Sequence, residues 1–220
     1  MGVRPRSIVI LAGLCLLVAA DAGEAQERAR KPAVQQELEA QAVRMADAMR
    51  AAGRPVPQSG AEAEALSAKL ARDGYRRLAD DVLLELLRMR VVLAEGSPPP
   101  LCAGMWTGSY GPEMLPAIVM RFSVTQQRRW AQIYGEAQLA EIHNRPARRS
   151  APGEAELAGA LERFFREVPA ADAAFLATAL EAPARLAADE RCRATRLYYR
   201  RLSRMAPRDA LVVFRASLFD

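Results

Sequence analysis

The chain has one histidine, His143, and three cysteines, Cys15, Cys102 and Cys192. Zinc sites draw on several His and Cys ligands, so a zinc centre here would need an unusual set of carboxylates. A Ser–His or Cys–His nucleophile would hinge on His143 alone, and no serine stands in a Gly-x-Ser-x-Gly elbow. His143 stands beside Asn144 and a basic loop, at an expected helix end, where a capping or exposed role is the simpler expectation. Lysine is nearly missing: Lys31 and Lys69 are the only two, and the basic character rests on arginine. The formal charge of +5 is too modest to mark a nucleic-acid binder. Strict apolar–polar alternation is also lacking, which argues against half-buried strands.

One uninterrupted apolar run is present, at the N-terminus. Arg4 and Arg6 precede the run Ile8–Ala20, and Ala20-Asp21-Ala22 supplies small residues before Gly23. That is the pattern of a secretory signal over residues 1–22, and the run falls short of the roughly 18–20 residues of a membrane span. A lipoprotein site is excluded because Leu14 precedes Cys15, and Cys15 sits within the apolar run. Removing the segment lowers the net charge by one. The expected location is the periplasm of a Gram-negative bacterium, or the exterior, with no membrane span left after cleavage.

Export leaves Cys102 and Cys192 as an even pair in a disulfide-permitting compartment. A disulfide between them is expected, closing a loop worth roughly 4–5 kcal/mol in the chain-entropy model. Neither cysteine has the Cys-x-x-Cys spacing of a redox pair. Cys102 lies in Pro98-Pro99-Pro100-Leu101-Cys102-Ala103-Gly104-Met105-Trp106-Thr107-Gly108, around which the fold should be arranged. Trp106 and Tyr110 suit a sugar-stacking surface, but packing over the disulfide is the simpler role. Gly104, Gly108 and Gly111 do not form a phosphate loop, because no Lys-Ser/Thr follows and Pro112 intervenes.

Elsewhere the apolar spacing is helical. Pro32 opens a helix whose narrow stripe runs through Val34, Leu38, Ala42, Met45 and Met49. The turn-rich segment Gly53–Gly60 ends it. Leu66, Leu70, Leu78, Val82, Leu86, Met89 and Leu93 share one face, with Asp73-Gly74 expected to break the run in two. A short helix is expected at Met114–Val119, and Ser123–Gln126 reads as a capping box. Beyond a basic loop at Arg145–Gly153, amphipathic helices follow around Phe164 and Leu176. Two more extend from about Ala184 to Arg204 and from Pro207 to Phe219. Val212-Val213-Phe214 resembles a strand locally, yet Leu211, Phe214 and Leu218 fit helical spacing better. The expected fold is an all-α bundle of about seven to nine helices, braced by Cys102–Cys192. Its divisions are a signal at 1–22, a loosely attached N-terminal helix and linker at 23–60, and a helical domain at 61–220.

The candidate binding surface is the arginine stripe Arg193, Arg196, Arg200 and Arg204, at three-and-four spacing on one helix face. Guanidinium groups in that array suit an envelope protein or an acidic ligand. Asp189, Glu190 and Asp209 lie near enough in sequence to neutralise part of it. Asp80, Asp81 and Glu85 lack the spacing of a calcium loop. Glu136 and Glu141 are the only carboxylates that suggest a glycan hydrolase, but five residues on a helix separate them by about 140°. No catalytic residue, metal or cofactor is implied. A non-catalytic binding protein is the first reading. The alternatives are an envelope hydrolase and a holdase whose N-terminal helix contacts clients.

Overall fold

The computed structural model describes residues 33–107, 120–146 and 151–218. The signal segment, Pro32, Tyr110 and the helix expected at Met114–Val119 lie outside them. Among the described residues there are nine α-helices, one short 3-10 turn and no strand. The helices are α1 (Ala33–Ala51), α2 (Gly60–Tyr75), α3 (Asp80–Gly96), α4 (Pro99–Thr107), α5 (Val124–Ile142), α6 (Glu154–Arg166), α7 (Ala170–Glu181), α8 (Ala188–Leu202) and α9 (Pro207–Ala216). No described helix is long and apolar enough to cross a membrane.

Local signals account for most boundaries. At the start of α5, Ser123 Oγ accepts from the Gln126 N–H, while the Gln126 side chain accepts from the Ser123 N–H. Two orphan donors of the first turn are thereby satisfied. Ser59 caps α2 with half of that pattern: Ser59 Oγ accepts from the Glu62 N–H, while the Glu62 carboxylate accepts from the N–H of Gln58, one residue before the cap. Helix α1 ends at Ala51 and is closed off by Gly53, whose φ of 66° lets the Arg54 N–H reach back to the Met49 carbonyl. The three prolines stop α3 and also open α4, which begins at Pro99. In a first helical turn the missing N–H has no partner to lose.

Gly74 departs from the sequence expectation. The helix runs through it, and the break falls after Tyr75. A Cβ at Gly74 would lie 1.9 Å from the Ala137 carbonyl oxygen of α5. The glycine therefore sets how closely α2 and α5 cross. It is a packing residue.

The main core gathers α3, α8 and α9 with faces of α2, α4, α5, α6 and α7. Leu83, Leu86, Ile133, Phe164, Leu176, Leu202 and Phe214 are almost wholly buried in it. Residues Ala210 to Arg215 of α9 are all buried, so this helix has no solvent face along that stretch. That explains the locally strand-like Val212-Val213-Phe214: a surrounded helix reads as a continuous apolar run. A second, smaller cluster holds α1. Met45, Ala48 and Met49 pack there on Leu70 of α2 and Ile142 of α5.

Cys102 of α4 and Cys192 of α8 bring their sulfurs to 2.24 Å, bonding distance, with Cα atoms 4.9 Å apart. Both residues are buried. Thr195, one turn beyond Cys192, donates to the Cys102 carbonyl at 3.2 Å and to the Arg191 carbonyl at 2.8 Å. Trp106 packs edge-on to Tyr198, with centroids 5.4 Å apart, and its indole N–H donates to the Ala179 carbonyl. This tryptophan is therefore part of the packing between α4, α7 and α8.

Candidate functional site

Helix α8 carries the arginine stripe, and its placement follows from its other face. Cys192, Ala194, Thr195, Tyr198, Tyr199 and Leu202 are buried, which turns the guanidinium groups toward the rims of neighbouring helices. Arg193 reaches α7: its Nη2 lies 2.7 Å from an Asp172 carboxylate oxygen, and its guanidinium sits 4.5 Å from the Phe175 ring centroid. Arg196 reaches the end of α3, donating from Nε to the Ala94 carbonyl at 2.9 Å and from Nη2 to the Ser97 carbonyl at 2.8 Å. Arg200 grips both oxygens of Glu95 at 2.7–2.9 Å.

Arg196 and the neighbouring Arg201 thus share one task. The last carbonyls of a helix have no partner within it and carry the negative end of its dipole. Arg196 supplies the missing donors to α3. Arg201 does so for α6, donating to the Phe164 and Arg163 carbonyls at 2.8 and 2.9 Å. Arg204, just beyond α8, is exposed and has no ion pair among the described residues. Arg208, in the first turn of α9, is exposed as well.

The four stripe residues therefore divide. Arg196 is committed to the fold. Arg193 and Arg200 are paired within the chain yet keep 59% and 45% of their side-chain surface exposed, and Arg204 is open. Spacing along one helix cannot reveal the acceptors, because Asp172, Ala94, Ser97 and Glu95 come from other helices.

The carboxylates take separate roles. Glu141 is 2.6 Å from Arg77 Nε, whereas Glu136, on an exposed part of α5, edges a different surface. Asp80 pairs with the buried Arg215, and Glu85 holds Arg129 through both oxygens. That hydrogen bond is the main reason the Arg129 guanidinium is raised above its ordinary value. Among the described residues no three His, Cys, Asp or Glu side chains gather as a metal site. His143 is the exposed C-cap of α5, and Asn144 beyond it takes a positive φ of 48°, a conformation asparagine tolerates.

One concavity between α1 and α5 was not legible in the sequence. It has a volume of about 230 Å³ and is edged by Gln41, Arg44, Gln132, Glu136, Leu139 and Arg145. Gly135 forms part of its floor, and a Cβ there would meet the Gln41 side chain at 2.6 Å. Gln41 interrupts the apolar stripe of α1 and is 3% exposed. Its only legible signal is a polar residue beside that stripe.

No family model matches this chain, and no curated protein or solved structure is similar to it.

Proposed function

We propose that the chain is an exported, non-catalytic helical protein that binds an anionic partner, an envelope protein or acidic ligand, through the exposed arginines along and just beyond α8. The observation that carries this reading is the split within the stripe. Arg193 and Arg200 remain about half exposed after pairing, and Arg204 stands free of ion pairs among the described residues. Planar guanidinium groups one to two helical turns apart match spaced carboxylates or phosphates. Asp172 and Glu95 hold two of them in fixed rotamers, which lowers the entropy lost on binding. The buried Cys102–Cys192 pair supports the exported location, since such bonds persist in oxidising compartments.

The test is cross-linking in intact cells with two variants. Arg193→Glu with Arg204→Glu should abolish capture of a partner that wild type captures, in a salt-dependent manner. His143→Ala should leave capture unchanged. Identical capture by wild type and the double variant would overturn the reading. Arg196 is unsuitable as a probe because its loss strips α3 of its cap.

A further inference from the structure

We propose that the cleft between α1 and α5 binds a free α-amino acid with an aliphatic side chain. The site is independent of the arginine stripe, since it is built on α1, α5 and the turn after α5. Beside Arg44, which pairs with Glu37, two opposite charges edge it without pairing with each other. Glu136 and Arg145 are both exposed, and neither makes an ion pair among the described residues. A ligand of one charge would meet a like charge on the cleft edge, whereas a zwitterion places its carboxylate at Arg145 and its ammonium at Glu136.

The surroundings favour the same ligand. Arg145 is placed by the backbone: its N–H donates to the Ala140 carbonyl at 2.9 Å, across the positive-φ turn at Asn144. Arg44 is steadied by Glu37 at 2.8 Å, and its remaining N–H groups are a second carboxylate donor. Glu37 also accepts from the Gln41 amide, leaving Gln41 Oε1 buried with no donor. Such an orphan acceptor is one a modest rotation would offer to an ammonium. Leu139 lies one turn from Glu136 on α5, so the two side chains share a face and an aliphatic stem beside the ammonium would contact it. A volume of about 230 Å³ falls below the roughly 300–1,000 Å³ of drug-sized sites, which suits a single amino acid.

The experiment is calorimetric titration of the signal-free chain with L-leucine, 4-methylpentanoate and 3-methylbutylamine. The last two lack the ammonium and the carboxylate respectively. L-Leucine should bind with a Kd below about 1 mM, and each analogue at least tenfold more weakly. Glu136→Gln should weaken L-leucine at least tenfold while sparing 4-methylpentanoate. Arg145→Gln should weaken L-leucine equally while sparing the amine. Both positions are exposed, and an unchanged circular-dichroism melt would confirm that the variants fold. Absence of saturable L-leucine binding, or an analogue that binds as tightly, would overturn the proposal using wild-type protein alone.

Discussion

Helices α1 and α8 both lie against other helices along much of their length, but they are held by different means. For α8 the attachments are directional and reach far along the chain: the Cys192 sulfur, the Thr195 hydroxyl, and guanidinium bonds to carbonyls of α3 and α6. For α1 the attachment is packing. Met45, Ala48 and Met49 fill a small cluster, while Glu37–Arg44 and Arg50–Asp47 pair within the helix itself. Dispersion and apolar burial tolerate sliding and replacement, whereas a bond to a named carbonyl does not. Substitutions at the α8 seat should therefore act on global stability, and those at the α1 seat should act locally.

The largest test removes the covalent link. Cys102→Ala with Cys192→Ala should destabilise by about 4–5 kcal/mol, since the bond closes a loop of 90 residues. A denaturant midpoint unchanged from wild type would dissolve the contrast between the two seats. Next is the α2–α5 crossing. Gly74→Ala forces a methyl into the Ala137 backbone and should cost at least about 3 kcal/mol. Arg196→Ala, which strips two buried carbonyls of their donors, should cost about 2 kcal/mol. Arg204→Ala should stay within about 0.5 kcal/mol; equal effects would mean that Arg196 is not a cap.

Gly135→Ala sharpens the other side. The added methyl meets a glutamine side chain rather than backbone, so about 1 kcal/mol is expected. Proteolysis should quicken at α1 and not at α8. The smallest effect is electrostatic. Arg163 hydrogen-bonds Asp209 and holds its carboxyl below the usual carboxylate range. A depressed folded value stabilises above the unfolded value of about 4 and is lost as pH falls through the folded one. Arg163→Gln should lower the melting temperature slightly near neutrality, flatten the acid limb below about pH 4 and leave the most acid end of the profile unchanged.

The all-helical class and the cysteine pairing were legible because both rest on local or arithmetic readings: helical spacing, and the two cysteines that remain if residues 1–22 are read as a leader. The Ser123–Gln126 box was legible because capping chemistry spans only four residues. Gly74 was misread because a glycine near a helix end and a glycine under a crossing helix look alike until the crossing is known. The arginine stripe was visible, but its division was hidden. Arg196 meets Ala94 across 102 residues, and only tertiary packing selects that carbonyl. The α1–α5 cleft had almost no local signal, since its edges come from positions 41–44 and 132–145.

Arg196 also governs the order in which the molecule can be completed. The last turn of α3 takes its donors from a residue synthesised about a hundred positions later. At roughly 5–20 residues per second, the growing chain waits on the order of 5–20 s before that residue exists. Leu211 to Phe214, which fill the centre of the core, emerge later still. Through that interval α3 has α4 and α5 to pack on but lacks α8 and α9, so part of its apolar face is exposed to aggregation during synthesis. Its first hundred residues are the ones that most need protection until α8 and α9 have emerged.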